Sequence, residues 1–429
     1  MNKVRKDIIK VVCIMLCLIF SIVSTTVSAS PTKYNEDQQI PAKVVEQLVS
    51  AMDSQNYDAL ANLWTRQEQV ELISFFNNSD AKANSEGFHA IKSAKLVGLK
   101  NIPLKTGISY GVDTTKYVNN IEDANLFYIA VDLTVKKESK YFMNGINYLL
   151  VLLVPEEGQW KIALMPQAPI YQLNLNGLGF NDETEQKALQ RQNHFVKTGK
   201  LINDNGSIIE DLSPSSQQIR EERGSEDTIR IFEEDAKLSQ LDAIITKADE
   251  HTVPSTIKVY LTKSINYTYY GKNAPFANSI DFYYYVKNVL PKEWYYTSSW
   301  PDKSLQAGAM AVKMYGWYHV YYAKYPGQGY DVKDNTADQS FEVNSEDSTR
   351  CTPAINAVGG IGVDIQSGSS YVLFEVHHIA GSEGPGGQYS GYMWQNGTKY
   401  WAQQGKGYTY MCHYYWDKSA NEPMHFFYY

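Results

Sequence analysis

The sequence predicts an α+β protein built in successive parts. Three observations carry that reading. Residues 40–67 place apolar side chains at helical spacing, and strand-like runs follow them. Residues 171–253 are charge-dense and poor in aromatics. From residue 254 strand and helix patterns mix under a dense aromatic covering, with 25 of the 33 tyrosines lying between Tyr260 and Tyr429.

Taken in order, residues 1–29 read as a secretory signal: Lys3, Arg5, Lys6 and Lys10 precede an apolar run from Val11 to Val23, and Val27-Ser28-Ala29 offers small residues for cleavage. The run is short for a membrane span. In residues 40–67, Val44, Leu48 and Met52 form one helical stripe and Leu60, Leu63 and Trp64 a second, with Asn56-Tyr57-Asp58 between them. The runs "SAKLVGLKNI", "NLFYIAVDLTVKK", "NYLLVLLVPE" and "QWKIALMP" read as strands, the last two joined by a turn at Glu156-Glu157-Gly158. Residues 171–253 read as a charged linker, either extended with helical pieces and mostly solvated or packed as a helical spacer. In the last part, 254–429, "STIKVYLTKS" reads as an edge strand. "NSIDFYYYVKNVLPKEW" reads as a helix that Ser279 can cap and Pro291 ends or kinks, leaving Glu293 just beyond it. "WPDKSLQ" starts another helix, in which Leu305, Gly308, Ala309, Val312 and Gly316 share a face that admits close packing.

Composition narrows the function. The chain of 429 residues carries a formal charge of −8. The leader holds four bases and one acid, so removing its +3 leaves the rest near −11. Such a chain is a poor partner for nucleic acid, which needs a basic face. An aromatic-rich domain in a secreted chain is either a tyrosine-rich core and sheet or a cleft for carbohydrate, whose pyranose CH faces stack on rings. Removing the leader also leaves two cysteines, Cys351 and Cys412, which either pair as a disulfide or stay as separate buried thiols.

Over residues 40–170, two helices followed by a curved antiparallel sheet, with the "D-x-x-x-L-x-x-L-W" helix and a final "G-x-W-K-I" strand, resemble the nuclear transport factor 2-like domain, a cone-shaped fold. The resemblance implies a binding or spacing module. Over about residues 255–418, five motifs in order are similar to the stage II sporulation protein D (SpoIID/LytB) family: the "IKVYL" strand, "VLPKEW", "WPDKSLQAGAMAVKMY", "YDVKDNTADQSF", and "GYMWQNGTKYWAQQGKGYTYMCHYYW" near the end. That resemblance implies peptidoglycan as the partner. It implies either a lytic transglycosylase acting on glycan strands or a non-catalytic enhancer of a cell-wall amidase, in a protein that is extracytoplasmic and wall-associated. It also implies that Glu293 is the catalytic glutamate. No cofactor is expected. Where zinc-binding members carry cysteines and a histidine, this chain has Lys333, Ala337 and Asp338, so no metal site is expected either.

The chemistry suits Glu293. A single carboxylic acid can protonate the leaving oxygen of a glycosidic bond while the sugar's own C6 hydroxyl closes on the anomeric carbon. A hydrolase usually needs a second carboxylate, for which Glu375 and Glu383 are the candidates. Aromatic neighbours would favour the proton-bearing form of Glu293. Tyr295, Tyr296, Lys313, Gln339, His378 and Gln395 are the expected substrate contacts. His377 and His378, as strand neighbours, should face opposite ways, and His319 and His413 read as packing residues. Two departures from the family pattern stand out: its helix glutamine is Gly308 here, and its arginine is Lys313. Lysine cannot reproduce a two-point arginine contact.

Overall fold

The computed structural model describes residues 36–104, 112, 117, 124–222, 228–238, 245–247, 251–294 and 300–429. The expected signal at residues 1–29 lies outside them, as do Tyr295 and Tyr296. The chain is α+β, with mixed helices and mostly antiparallel sheets.

The first part holds helices α1 (Glu36–Asp53), α2 (Tyr57–Asn62), α3 (Arg66–Phe76) and α4 (Ser79–Ala83), then strands β1 (Ile91–Ile102), β2 (Asn125–Val135), β3 (Gly145–Glu156) and β4 (Gln159–Leu164). The strands pair antiparallel in sequence order. Asn56 caps α2 by accepting from the Ala59 N–H at 3.0 Å. Glu157 and Gly158 both adopt positive φ, which a tight hairpin between twisted strands requires. The run "LLVLLV" in β3 is buried on both faces. Tyr148, Leu150, Leu152 and Val154 share a core cluster with Tyr325 and Tyr330 from far along the chain.

Residues 171–253, expected as a solvated linker, contribute buried structure. Helix α5 (Ile170–Leu175) is followed by α6 (Glu183–Thr198), a hairpin of β5 (Lys200–Ile202) and β6 (Ile208–Asp211), helices α7 (Ser216–Glu222) and α8 (Thr228–Leu238), and strand β7 (Ile245–Lys247). Phe195, Val196, Leu201, Leu212 and Phe232 join the large core of the last part. Their spacing among charged residues hides a narrow apolar stripe, which is all a helix lying on a core needs.

The last part is built around helix α11 (Asp302–Tyr321), whose residues from Leu305 to Tyr321 are almost all buried except Gln306. Strand β8 (Thr256–Leu261) is the centre of a three-stranded sheet and not the edge strand expected. It pairs antiparallel with β9 (Phe276–Asp281) and parallel with β10 (Val332–Lys333). Helix α9 (Ser264–Tyr269) lies between β8 and β9 in sequence, and α10 (Phe282–Glu293) follows β9 directly. Helix α12 (Cys351–Ala357) leads to a second sheet in the order β12 (Ser370–Val372), β11 (Ile361–Ser367), β15 (Met424–Tyr428), β7. Strands β13 (His377–Ile379) and β14 (Tyr392–Trp394) form a short parallel pair, followed by helices α13 (Gln395–Gln403) and α14 (Tyr408–Trp416).

Residues 44–429 form one unit. Its first and last parts are joined by buried charge as well as by apolar surface. The Lys333 ammonium, fully buried, meets Glu68 at 3.0 Å and Glu71 at 2.7 Å. The Lys140 ammonium meets Asp331 at 2.8 Å. Gly327 lies so close to Phe88 that a Cβ there would enter the ring.

Candidate functional site

Helix α10 presents Glu293 at its C-terminal end. Asp281, not Ser279, caps its start, its carboxylate accepting from the Tyr284 N–H at 2.8 Å; Ser279 sits within β9. The helix runs through Pro291 instead of stopping there. Only the ring's missing N–H is lost in the final turn, and the Trp294 N–H still closes onto the Leu290 carbonyl at 2.9 Å. Phe282 and Tyr285 of α10 lie against Gly316 of α11, where a Cβ would stand 3.2 Å from each ring. Two turns earlier, the Trp294 indole lies on Gly308, where a Cβ would overlap the ring. That explains the first departure: a glutamine at position 308 could not share this space with Trp294.

Trp294 is completely buried and fixes more than its own helix. Its indole N–H donates to Thr398 Oγ1 at 3.2 Å. The Thr398 hydroxyl gives its one proton to the Gln395 carbonyl at 2.7 Å, so the Ser304 hydroxyl, 2.7 Å away, donates to Thr398. This chain of bonds joins the end of α10 to the start of α13 and brings Gln395 to Glu293.

The carboxylate of Glu293 has two different sides. Oε1 accepts the backbone N–H of Ser340. Oε2 faces the Gln395 side-chain amide at 3.4 Å and His378 Nδ1 at 3.8 Å. The side chain is 14% exposed, so one edge reaches solvent while the rest is enclosed. The Ser340 segment is itself held by the Lys263 ammonium, which donates to Ser340 Oγ at 2.6 Å and to the Phe341 carbonyl at 3.1 Å.

His378 is oriented from behind. The Tyr285 hydroxyl donates to Gln339 Oε1 at 3.0 Å, which leaves the Gln339 amide nitrogen to donate to His378 Nε2 at 3.2 Å. With Nε2 accepting, a neutral His378 carries its proton on Nδ1, the nitrogen that faces Glu293. The ring also lies 5.3 Å from the Trp294 ring centre. On the opposite side of the same strand, His377 stacks on Tyr392 with ring centres 5.0 Å apart and faces Glu375 at 3.6 Å. The neighbours therefore face opposite ways, as strand geometry requires. Glu375 also bonds His319 Nε2 at 2.9 Å. Burial would push the Glu375 carboxyl up, but the charges of His377 and His319, the His319 hydrogen bond and Lys324 together hold it down to about 2.

The expected substrate residues divide accordingly. Gln395 and His378 meet Glu293. Gln339 is fully buried behind His378, so it positions the imidazole and does not face a ligand. Lys313 is a correction. Its buried ammonium donates to the Val358 carbonyl at 2.7 Å and to the Ile361 carbonyl, and it lies over the Tyr429 ring. It braces the turn between α12 and β11, a task for a compact point charge rather than for a two-point arginine contact. The disulfide alternative is also corrected: Cys351 and Cys412 are free, buried thiols on different helices. Burial pushes the Cys351 thiol up to about 12 and the Cys412 thiol well above its usual range. Glu375 is sealed among imidazoles, and Glu383 is exposed on a loop. His413 bonds Asp417 at 2.9 Å. Among the described residues, no group of three or more His, Cys, Asp or Glu side chains is placed to hold a metal ion.

Sequence reasoning missed the Ser340 N–H, Lys263 and the Thr398 bridge. Peptide donors and hydroxyl bridges leave no sequence mark, and only the "DQSF" run next to Gln339 pointed at this segment.

Residues 270–361 match the model of the stage II sporulation protein (SpoIID) family, which supports the likeness of the last part of the chain to that family. The match covers the helix carrying Glu293, the buried helix α11 and the Gln339–Ser340 segment. No curated protein matches the chain. The family match suggests a cell-wall-related function associated with sporulation.

Proposed function

We propose that this protein is a secreted cell-wall protein that cleaves the glycan strands of peptidoglycan as a lytic transglycosylase, with Glu293 as its single acid and base. The observation that carries the reading is the division of the Glu293 carboxylate. Oε1 is fixed by a peptide N–H, while Oε2 faces an amide and an imidazole at the edge of an enclosed site. The first part of the chain, with its cone-like helix-and-sheet pattern, would serve as a spacing or partner-binding module of the nuclear transport factor 2-like kind.

In this mechanism the protonated Glu293 gives its proton from Oε2 to the glycosidic oxygen as the C1–O bond breaks. The oxocarbenium-like C1 is then attacked by the C6 hydroxyl of the same sugar. Oε2, now basic, takes the hydroxyl proton, which restores the acid and leaves a 1,6-anhydro end. No water is consumed, and no second carboxylate is required. His378 Nδ1–H and the Gln395 amide stabilise the carboxylate between the two transfers, and the Ser340 N–H keeps it from rotating.

The test is mass spectrometry of purified glycan incubated with the parent and with Glu293→Gln. The expected outcome is loss of anhydro-ended products by about 10²-fold or more, with the melting temperature nearly unchanged. Equal product from both proteins would reject the acid/base role. Sedimentation with sacculi, no product from the parent, and a faster amidase in its presence would support the non-catalytic enhancer instead.

A further inference from the structure

An open groove of about 570 Å³ runs beside the Glu293 site, between α9 and the segment that follows Ser340. Ser264, Ile265, Thr268 and Tyr269 form one wall, and Glu342, Val343 and Asn344 the other. A volume of this size suits a small ligand or a sugar unit, within the range of about 300–1,000 Å³ typical of binding clefts.

We propose that this groove is a saccharide subsite of the glycan strand cut at Glu293, with Tyr269 as its stacking platform; the assignment rests on the proposed action on glycan. Three observations converge on it. Ile265 and Tyr269 stand four residues apart on one face of α9 and are 52% and 55% exposed. A pair of large apolar side chains presented together to a groove differs from a scattered exposed residue. Its chemistry suits the CH face of a pyranose, while the Thr268 hydroxyl and the Asn344 amide offer polar groups at the rim for sugar hydroxyls.

The groove is also tied to the reacting carboxylate on two sides. Glu342 on its wall pairs with Lys292, the residue before Glu293, at 3.0 Å. Ser340, two residues from Glu342, donates its N–H to Glu293. Two residues of chain span at most about 7 Å, so the Glu342 wall of the groove starts within about that distance of the backbone N–H that holds Oε1. A sugar seated on Tyr269 would then be part of the strand whose bond lies at Glu293. Val343 N–H bonds Asn266 Oδ1 at 2.9 Å and Asn266 Nδ2 donates to Asp334 at 2.7 Å, so α9 is hydrogen-bonded to the opposite wall and to the buried Asp334.

The experiment uses the full chain carrying Glu293→Gln, so that binding is read without turnover, and glycan strands freed of stem peptides as the probe in titration calorimetry. Adding Tyr269→Ala should weaken binding by about 3- to 10-fold, the size of one aromatic stacking contact, and Tyr269→Trp should restore it. In the Glu293-bearing protein, Tyr269→Ala should raise KM and leave kcat nearly unchanged. Equal affinity with Tyr and Ala at position 269 overturns the subsite, whatever Glu293 does. Full cleavage by Glu293→Gln overturns the acid/base role alone, while the stacking result still stands or falls by itself.

Discussion

Two acidic regions of the last part of the chain are treated in opposite ways. In the segment from Tyr330 to Phe341, Asp331, Asp334 and Asp338 are all buried and heavily compensated. Asp331 takes the Lys140 ammonium, the Tyr141 hydroxyl and the Lys258 N–H. Asp334 takes the Thr262 and Lys263 N–H groups and the Asn266 amide. Asp338 takes Lys324, the Tyr315 hydroxyl and the Lys333 N–H. Glu293, a short way off, meets a peptide N–H, an amide and an imidazole, and keeps an edge to solvent. A buried carboxylate whose partners are all supplied by the fold holds segments together. Glu293 instead keeps one edge at the surface, which is what the proposed acid/base role requires.

The largest effect expected from breaking this contrast is at the junction. Lys333→Met leaves Glu68 buried without its cation, at a cost of about 3–5 kcal/mol, read as a large fall in melting temperature. Burial already pushes Glu68 up against the opposing pull of Lys333. Below its melting point the variant should keep the activity ascribed to Glu293; losing activity while still folded would mean that the two regions are coupled.

Glu375→Gln probes the layer between them and should cost about 3 kcal/mol at neutral pH. The folded carboxyl is held below its usual 4.5, so its stabilisation is fully present above that value and is lost as pH falls toward about 2. The stability gap between parent and variant should therefore narrow through that window. A gap independent of pH would show that the contacts with His319 and His377 do not hold the carboxyl down.

The smallest stability effect and the sharpest functional one belong to Gly308→Ala. The added methyl collides with Trp294, costing about 1–3 kcal/mol. Because Trp294 is the next residue after Glu293 and is bonded through Thr398 to the Gln395 carbonyl, turnover should fall further than stability. A variant that loses stability but keeps full turnover would show that the indole does not position the acid.

Much of this architecture was legible in particular residues. Two apolar runs and the Glu156-Glu157-Gly158 turn between them marked the β3–β4 hairpin. The small residues of α11 marked a helix meant for close approach, and Gly308 and Gly316 are where α10 seats its aromatics. The strand period placed His377 and His378 on opposite faces. Other features were not legible for definable reasons. Pro291 reads locally as a stop, yet a helix tolerates it when the lost bond falls in the last turn. The stretch from 171 to 253 reads as solvated because its few apolar residues are diluted by charge, and only packing shows that they share a face. Lys313 reads as a substrate contact and the cysteines as either a disulfide or two thiols, since the partner of an ammonium or a thiol is a matter of distance in space.

By itself the sequence determined the first helices and the strands that follow them, the aromatic character of the last part and the presence of a glutamate beside a tryptophan, because these follow from local periodicity and residue type. The tertiary structure decided which carboxylates are buried among partners from distant segments and which one keeps an edge to solvent. That outcome depends on donors brought from Gln395, His378 and Ser340, segments that become neighbours of Glu293 only when α10 closes onto α11.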